Sequence, residues 1–316
     1  MSSLTRSETA RWLREHDNFL ILTHRRPDGD TVGSAALLCR GLRALGKTAH
    51  VLRNMEITEK YSHLHEGMNR DYPEAGDTVI SVDIAAPQLL PEVFSHLARR
   101  VRLRIDHHST DTPFAPLELV DAGAGACAEL IYDVLQELGV ALDKEMAEAL
   151  YTAISTDTGC FRYANTTAHT FQTAAACAAA GGDLHSINQR IFDTNSFAKL
   201  RLQSWIVENI RFLKDGKLAV CALPLDVEKR LGVTEDDMEN VSGFPRTIEG
   251  VCVAATLRQN EDGKVKLSVR ALPGYNAAAL CAKFGGGGHK GAAGATIHAA
   301  LEEAAALVAL EMENLY

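Results

Sequence analysis

The sequence predicts an α/β protein: a mostly parallel sheet flanked by helices, followed by a second, smaller α/β domain. Three observations carry that expectation. FLILTH is a continuous apolar run of the kind buried on both faces of a parallel sheet. Strand-like runs then alternate with helix-like patterns, the βαβ rhythm of an open sheet covered by helices. Beyond about residue 215 the texture changes to strands that turn back on one another.

In chain order, SETARWLREHD reads as a polar, charged helix and not as a signal peptide. FLILTH is followed by a polar loop and by TVGSAALLCRGLRALG, a helix closed by Gly46. KTAHVLR, DTVISVD and VRLRID read as further strands, with helical patterns between several of them. Residues 54–76 are the one long non-apolar stretch and are expected to loop over one edge of the site. From 125 to 182 the chain is mainly helical, with CAELIYDVLQELG, KEMAEALYTAIST and TTAHTFQTAAACAAA in succession. TNSFAKLRLQSWIVENIRFLK reads as a single connecting helix. KLAVCALP, EGVCVAATLRQN and GKVKLSVRAL read as strands, the last two a hairpin across residues 260–263. A helix (NAAALCAKF), the loop GGGGHKGAAG, a strand (ATIHA) and a last helix (LEEAAALVALEMENL) follow. The expected division is a catalytic domain over 1–190, a helical linker over 191–214 and a substrate-binding domain over 215–316.

Composition sets limits. The 316 residues suit two domains of roughly 150 each. A net charge of -9 argues against a broad basic surface for nucleic acid, although bound cations would reverse the sign locally. Seven cysteines without a CxxC pair point to a reducing cytoplasm. No apolar run approaches the ~18 residues of a membrane span.

Acidic and histidine residues gather in four clusters: His24, Asp28 and Asp30 in THRRPDGDTVGSA; Asp83 in VISVDIAAP; Asp106, His107 and His108 in LRIDHHST; Asp157 in AISTDTGCFRY. The first three directly follow strand-like runs, so they fall at the carboxyl ends of strands, where open α/β sheets collect ligands. Asp28, Asp30, Asp83 and Asp157 carry four negative charges, which two divalent cations would neutralise. Bridging carboxylates hold two cations ~3.5–4 Å apart, a spacing suited to in-line attack on phosphorus. Mixed imidazole and carboxylate donors favour Mn²⁺ over Mg²⁺. Gly29 is expected to let the loop turn tightly, so that its two neighbouring carboxylates point at different ions. PDGD does not open an EF-hand, because Val32 and Cys39 stand where that loop needs oxygen ligands.

Other features carry less. GGGGHKGAAG is not a Walker loop: no GK[ST] follows and a helix precedes it. Its successive amides with His289 suit an anion; Lys290 could add a cation, although it reads first as a solvent-exposed side chain. His63 and His65 read as loop residues and not as a metal pair. Arg100, Arg102 and Arg104 read as the exposed face of a half-buried strand. Phe161, Arg162 and Tyr163 follow Asp157 closely enough to line the pocket, with one aromatic free to stack on a base.

HRRPDGDTVGS, VD, DHH and STDTG, in this order, resemble the four motifs of the DHH phosphoesterase superfamily, and GGGGHKGAAG resembles the signature of its DHHA1 subdivision. The resemblance implies one metal on His24, Asp28 and Asp83 and a second on Asp30, Asp83, His107 and Asp157, with Asp83 as the bridge. It implies that Asp106 orients His107 and that His108 faces the substrate phosphate as a catalytic group. Gly286, Gly287, Gly288 and His289 would close on the substrate, Arg270 would grip a phosphate, and Arg162 would join them. Ala271 stands where the family commonly has serine. The implied activity is that of a Mn²⁺-dependent oligoribonuclease and 3'-phosphoadenosine-5'-phosphate phosphatase, in which hydroxide held between the metals attacks phosphorus. Short RNA oligonucleotides and small nucleotides are the expected partners, with no membrane and no stable protein partner; a homodimer stays open. The alternatives are a phosphodiesterase for linear or cyclic dinucleotides and, in another class, a non-catalytic nucleotide sensor. Such a sensor would have lost metal ligands, whereas this chain keeps every residue of the motif set. A family pyrophosphatase fits less well, since its C-terminal domain has a basic signature in place of GGGGH.

Overall fold

Alternating apolar runs and amphipathic helices build the first of two units, Met1–Thr194 and Asn195–Tyr316, in a computed structural model that describes residues 2–108, 112–238 and 241–316. Its strands are β1 (Ser2–Ser3), β2 (Phe19–Leu22), β3 (Ala49–Leu52), β4 (Asn69–Arg70), β5 (Thr78–Val82), β6 (Val101–Asp106) and β7 (Leu117–Val120). They form one sheet in the order β1-β7-β6-β5-β2-β3-β4, and every neighbouring pair is parallel. The helices are α1 (Arg6–Glu15), α2 (Gly29–Ala44), α3 (Glu59–Ser62), α4 (Cys127–Glu137), α5 (Lys144–Asp157), α6 (Ala168–Ala179) and α7 (Leu184–Asn188). Thr5 opens α1 through a reciprocal cap with Glu8. Alternate side chains of β2 serve opposite cores. Phe19 and Ile21 pack with α2, α4 and α5, while Leu20 and Leu22 pack with Leu90, between the two 3₁₀ segments beyond β5, and with Leu97 of the second. Each such side chain contributes about 1.5–3 kcal/mol. Strand order reverses between β2 and β5, and the carboxyl ends there open the crevice such sheets use for ligands.

Three expectations change here. Residues 54–76 are not only loop: α3, a 3₁₀ turn at His63–His65 and edge strand β4 lie within them. Strand β7 was not foreseen. Arg104 is buried, not exposed, because β6 is an inner strand between β5 and β7; of the three arginines only Arg102 is open.

The second unit holds α8 (Phe197–Asn209), β8 (Arg211–Leu213), β9 (Leu218–Leu223), α9 (Leu225–Leu231), β10 (Val253–Gln259), β11 (Val265–Ala271), α10 (Ala277–Ala282), β12 (Gly287–Gly288), β13 (Ala292–Ile297) and α11 (Leu301–Leu315). Its sheet runs β12-β13-β11-β10-β9-β8, with β9 and β10 parallel and the remaining pairs antiparallel. The expected hairpin is β10–β11, closed by Asn260 N–H donating to Lys264 O at 2.8 Å. The connecting helix is shorter than its sequence suggested. Ile210 leaves helical geometry, and Arg211–Leu213 pairs with β9 as an edge strand. Both units are α/β, as the sequence predicts. Among the described residues no helix is long and apolar enough to cross a membrane.

Candidate metal centre

The crevice between β2 and β5 receives side chains from five segments. His24 follows β2; its Nδ1 donates to Arg25 O at 2.8 Å, which leaves Nε2 as the free lone pair. That nitrogen lies 3.6 Å from both Asp28 Oδ1 and Asp83 Oδ2. Asp28 caps α2, accepting from the amides of Asp30 and Thr31. Asp30 points from the first turn of α2 onto the N-terminus of α4. It accepts from Cys127 N at 2.7 Å, Ala128 N at 3.2 Å and Ser34 Oγ at 3.0 Å. The cap position of α4 is Ala126, which has no capping side chain, so Asp30 satisfies that helix end from 97 residues away.

Asp83 is the first residue after β5 and stands at φ 57°, a left-handed conformation held by its N–H donating to Ile105 O at 2.9 Å. Its side chain is 3% exposed, and Oδ1 has no hydrogen-bond partner. His107 donates Nδ1–H to Ala124 O at 3.2 Å, and its Nε2 faces Asp30 Oδ2, Asp83 Oδ1 and Asp157 Oδ2 at 3.6–3.7 Å. Asp157 ends α5, and its Oδ2 accepts from Asn165 Nδ2 at 3.2 Å.

These separations exceed hydrogen bonds. Two donors each ~2.1 Å from one cation lie ~3.0–3.4 Å apart, a few tenths of an ångström closer. Donor atoms of His24, Asp28 and Asp83 lie within 4.8 Å of one another, as do those of Asp30, His107 and Asp157, and those of Asp83, His107 and His108. The electrostatics agree. Burial, then the charge of Asp30, push Asp83 up to about 8 and Asp157 to about 7. For His107, burial opposes the proton, but Asp30, Asp83 and Asp157 outweigh it and raise the ring to about 9. Carboxylates crowded until they hold protons, two imidazole nitrogens aimed at them and an orphaned buried oxygen fit a pair of hard divalent cations, which would displace those protons.

The structure revises two roles expected from sequence. Asp106 orients the ring of His108: its Oδ1 accepts from His108 Nδ1 at 2.7 Å but, of His107, only from the backbone N–H at 2.8 Å, while the His107 ring is set by Ala124. Gly29 makes no special turn. It opens α2, and a Cβ there would lie 2.4 Å from Thr156 Oγ1, so the glycine lets α2 approach the end of α5. That approach brings Asp28, Asp30 and Asp157 into one crevice.

Sequence reasoning missed four contributors. Buried Arg104 donates to Asp106 Oδ2 at 2.5 Å, Glu118 Oε1 at 3.2 Å and Ile84 O at 3.0 Å. Burial would raise Asp106, but His108 and then Arg104 hold it at about 2. Ser34 stands four residues after Asp30 on the same helix, a legible spacing. Asn165 and the N-terminus of α4 left no motif, although the uncapped Ala126 was a signal. His65 is buried, with Nε2 2.9 Å from Val32 O and its proton affinity lowered by that burial to about 4, outside the three donor groups.

Arg162 lies in the loop after Asp157 and donates Nε–H to Gly159 O at 2.6 Å. The other residues expected on the substrate side belong to the second unit. Arg270 lies on β11 opposite Ala254 and Ala292, half-buried, with Nη1 donating to Val269 O at 3.1 Å. The glycine loop is more ordered than an open cradle of amides: Gly287 and Gly288 form strand β12 against β13, Gly286 lies close to Gly294, and His289 N–H donates to Ala292 O at 2.8 Å. Gly287, Gly288 and His289 are exposed.

The chain is similar to known proteins in sequence and in fold. The family described as the DHH family, N-terminal domain, matches residues 18–154, and the DHHA1 domain matches residues 215–314. A bifunctional oligoribonuclease and PAP phosphatase of Thermus thermophilus is 35% identical over 285 residues, 88% of this chain and 83% of that protein. The protein of the same description from Bacillus subtilis is 27% identical over 301 residues, 93% of each chain. In fold, an exopolyphosphatase-related protein from Bacteroides fragilis superposes with a TM-score of 0.83 at 24% identity, over 97% of this chain and 94% of that one.

Proposed function

This chain belongs to the DHH family and carries its DHHA1 domain, and from that premise we propose that it hydrolyses short oligoribonucleotides to mononucleotides and removes a phosphate from 3'-phosphoadenosine-5'-phosphate. The observation that carries the reading is the position of Asp83, which turns one carboxylate oxygen toward His24 and the other toward His107 and so joins two donor sets. His24, Asp28 and Asp83 would hold one divalent cation, and Asp30, Asp83, His107 and Asp157 the other. Mn²⁺ suits their mixture of nitrogen and oxygen better than Mg²⁺. When bound, such a pair lowers the pKa of water and polarises phosphoryl oxygens.

The chain's own groups prepare the rest. Arg104 fixes Asp106, and Asp106 fixes His108 through Nδ1, so Nε2 is the atom left to donate to a phosphoryl oxygen. The hydrogen bond to Asp106 raises the proton affinity of His108, which favours the charged, donating form. Asn165 and the amides of α4 hold Asp157 and Asp30 in place. Arg162 in the first unit, with Arg270, Gly286, Gly287, Gly288 and His289 in the second, would supply grip on remote phosphate and base. In this reading residues 1–190 catalyse, 191–214 link and 215–316 bind substrate. All seven cysteines are free, which supports a reducing cytoplasm as the compartment.

Turnover of pApA and of 3'-phosphoadenosine-5'-phosphate by metal-stripped protein tests the proposal. Mn²⁺ should restore release of mononucleotides from the first and phosphate from the second. Inactivity on both with every divalent cation, or full activity in excess chelator, ends it.

A further inference from the structure

The loop after Asp157 carries backbone strain that the metal centre does not call for. Gly159, Cys160 and Phe161 follow one another at φ 58°, 57° and 63°. Residues with a Cβ rarely enter this region singly, and two together require outside support. Support comes from Cys160 N–H donating to Ser155 O at 2.6 Å, and from the amides of Arg162 and Tyr163, both donating to Thr158 O at 3.0 Å.

The left-handed turn delivers Tyr163. A Cβ built on Gly159 would lie 2.3 Å from Tyr163 Cζ and 2.5 Å from both Cε atoms. Those three distances place the glycine beneath the ring's face and not at its edge. Tyr163 is nevertheless 53% exposed. Its neighbour Phe161 is already engaged, between Tyr151 at 5.8 Å and Phe171 at 5.5 Å. Tyr163 thus has one face resting on backbone and an open surface beyond. The same loop is tied to the candidate metal centre: Tyr163 O accepts from Thr166 N at 3.1 Å, and Asn165 between them holds the Asp157 carboxylate.

We propose that Tyr163 is a nucleobase platform, on which a base of the substrate stacks while its phosphate is held at the aspartate and histidine cluster. The inference rests on the nucleotide reading above and deepens it. A ring offers a π-face to every base alike, so this platform would give grip without sequence preference, as trimming of mixed RNA fragments requires.

The Mn²⁺-loaded protein tests this by calorimetric binding of adenosine 5'-monophosphate and of ribose 5-phosphate, which lacks the base. Wild type should prefer the nucleotide, and Tyr163→Ala should bind it about tenfold more weakly while binding ribose 5-phosphate as before. Tyr163→Phe and Tyr163→Trp should keep the preference. Tyr163→Leu, which still covers Gly159 but cannot stack, should lose it, and it carries the test if the alanine variant fails to fold. A wild-type ratio of the two affinities in Tyr163→Leu or Tyr163→Ala, or no preference in the wild type, overturns the platform. Failure of the wild type to cleave pApA, with the Tyr163-dependent preference intact, would instead remove the proposed reaction and leave the platform standing.

Discussion

At His107 a carbonyl from another segment decides the chemistry. Ala124 O takes the Nδ1 proton, so Nε2 must meet three carboxylates with a lone pair unless the ring is doubly protonated. The adjacent His108 also has its Nδ1 held, but by the Asp106 carboxylate, a partner that raises its proton affinity and favours a charged, donating ring over a ligating lone pair. The two histidines should therefore fail differently. His107→Ala should lose bound metal. His108→Ala should keep it while turnover falls at least about tenfold, as for loss of a group that stabilises developing charge. Metal analysis of the purified variants beside their rates checks this, and a swapped pattern would reverse the two roles. Sequence named both residues, but the resemblance gave Asp106 to the ring of His107, whereas it holds that of His108. Two neighbouring rings compete for Asp106, and the winner depends on where Ala124 lies in space.

At the scale of elements, the centre exists because α2 and α5 approach closely enough to bring Asp28, Asp30 and Asp157 together, and Gly29 permits that approach. Thr156 cannot easily yield, since its Oγ1 donates to Thr152 O at 2.8 Å and Ala153 O at 3.0 Å. Gly29→Ala should cost about 1–3 kcal/mol by overpacking. It should also weaken Mn²⁺ binding by about tenfold or more, the size of effect seen when supports of metal ligands are disturbed. Thr156→Gly in the same chain should recover much of the affinity despite the cost of glycine in a helix. Wild-type affinity in Gly29→Ala would show that the approach of the helices does not set the ligands. The same scale shows what a sequence displays. β2 and β5 were legible as largely apolar runs and β6 by its alternation, and the ligands were legible because they follow those strands. β4 was not, being two residues long, and β7 was not, because LELV is broken by Glu118 and has no apolar run like that of β2. RFL at 211–213 was absorbed into the preceding helix because three residues cannot display a period. Arg104 was assigned to an exposed face because alternation along β6 says nothing of how many strands flank it.

For the whole molecule, the crowding of carboxylates makes stability depend on pH and on metal together. Asp83 rises from its ordinary value of 3.8 to about 8, Asp157 from 3.8 to about 7, and His107 from 6.5 to about 9. All three shifts have the same sign, and the groups titrate as one coupled set. The folded metal-free protein therefore holds more protons than the unfolded chain through this range. Stability from a raised pKa is fully present below the unfolded value and is lost as pH rises through the folded one. Without metal, the thermal midpoint should fall from about pH 5.5 to about pH 8. Cations compete with these protons for the same atoms, so binding should release protons and strengthen as pH rises. The midpoint in excess Mn²⁺ should then separate from the metal-free one by a gap that widens with pH. Thermal scans with chelator and with Mn²⁺ across that range check both trends. A gap that stays constant while the metal-free midpoint stays flat would mean that the proton-loaded groups are not the metal ligands, and the shared role of Asp83 would fall with them.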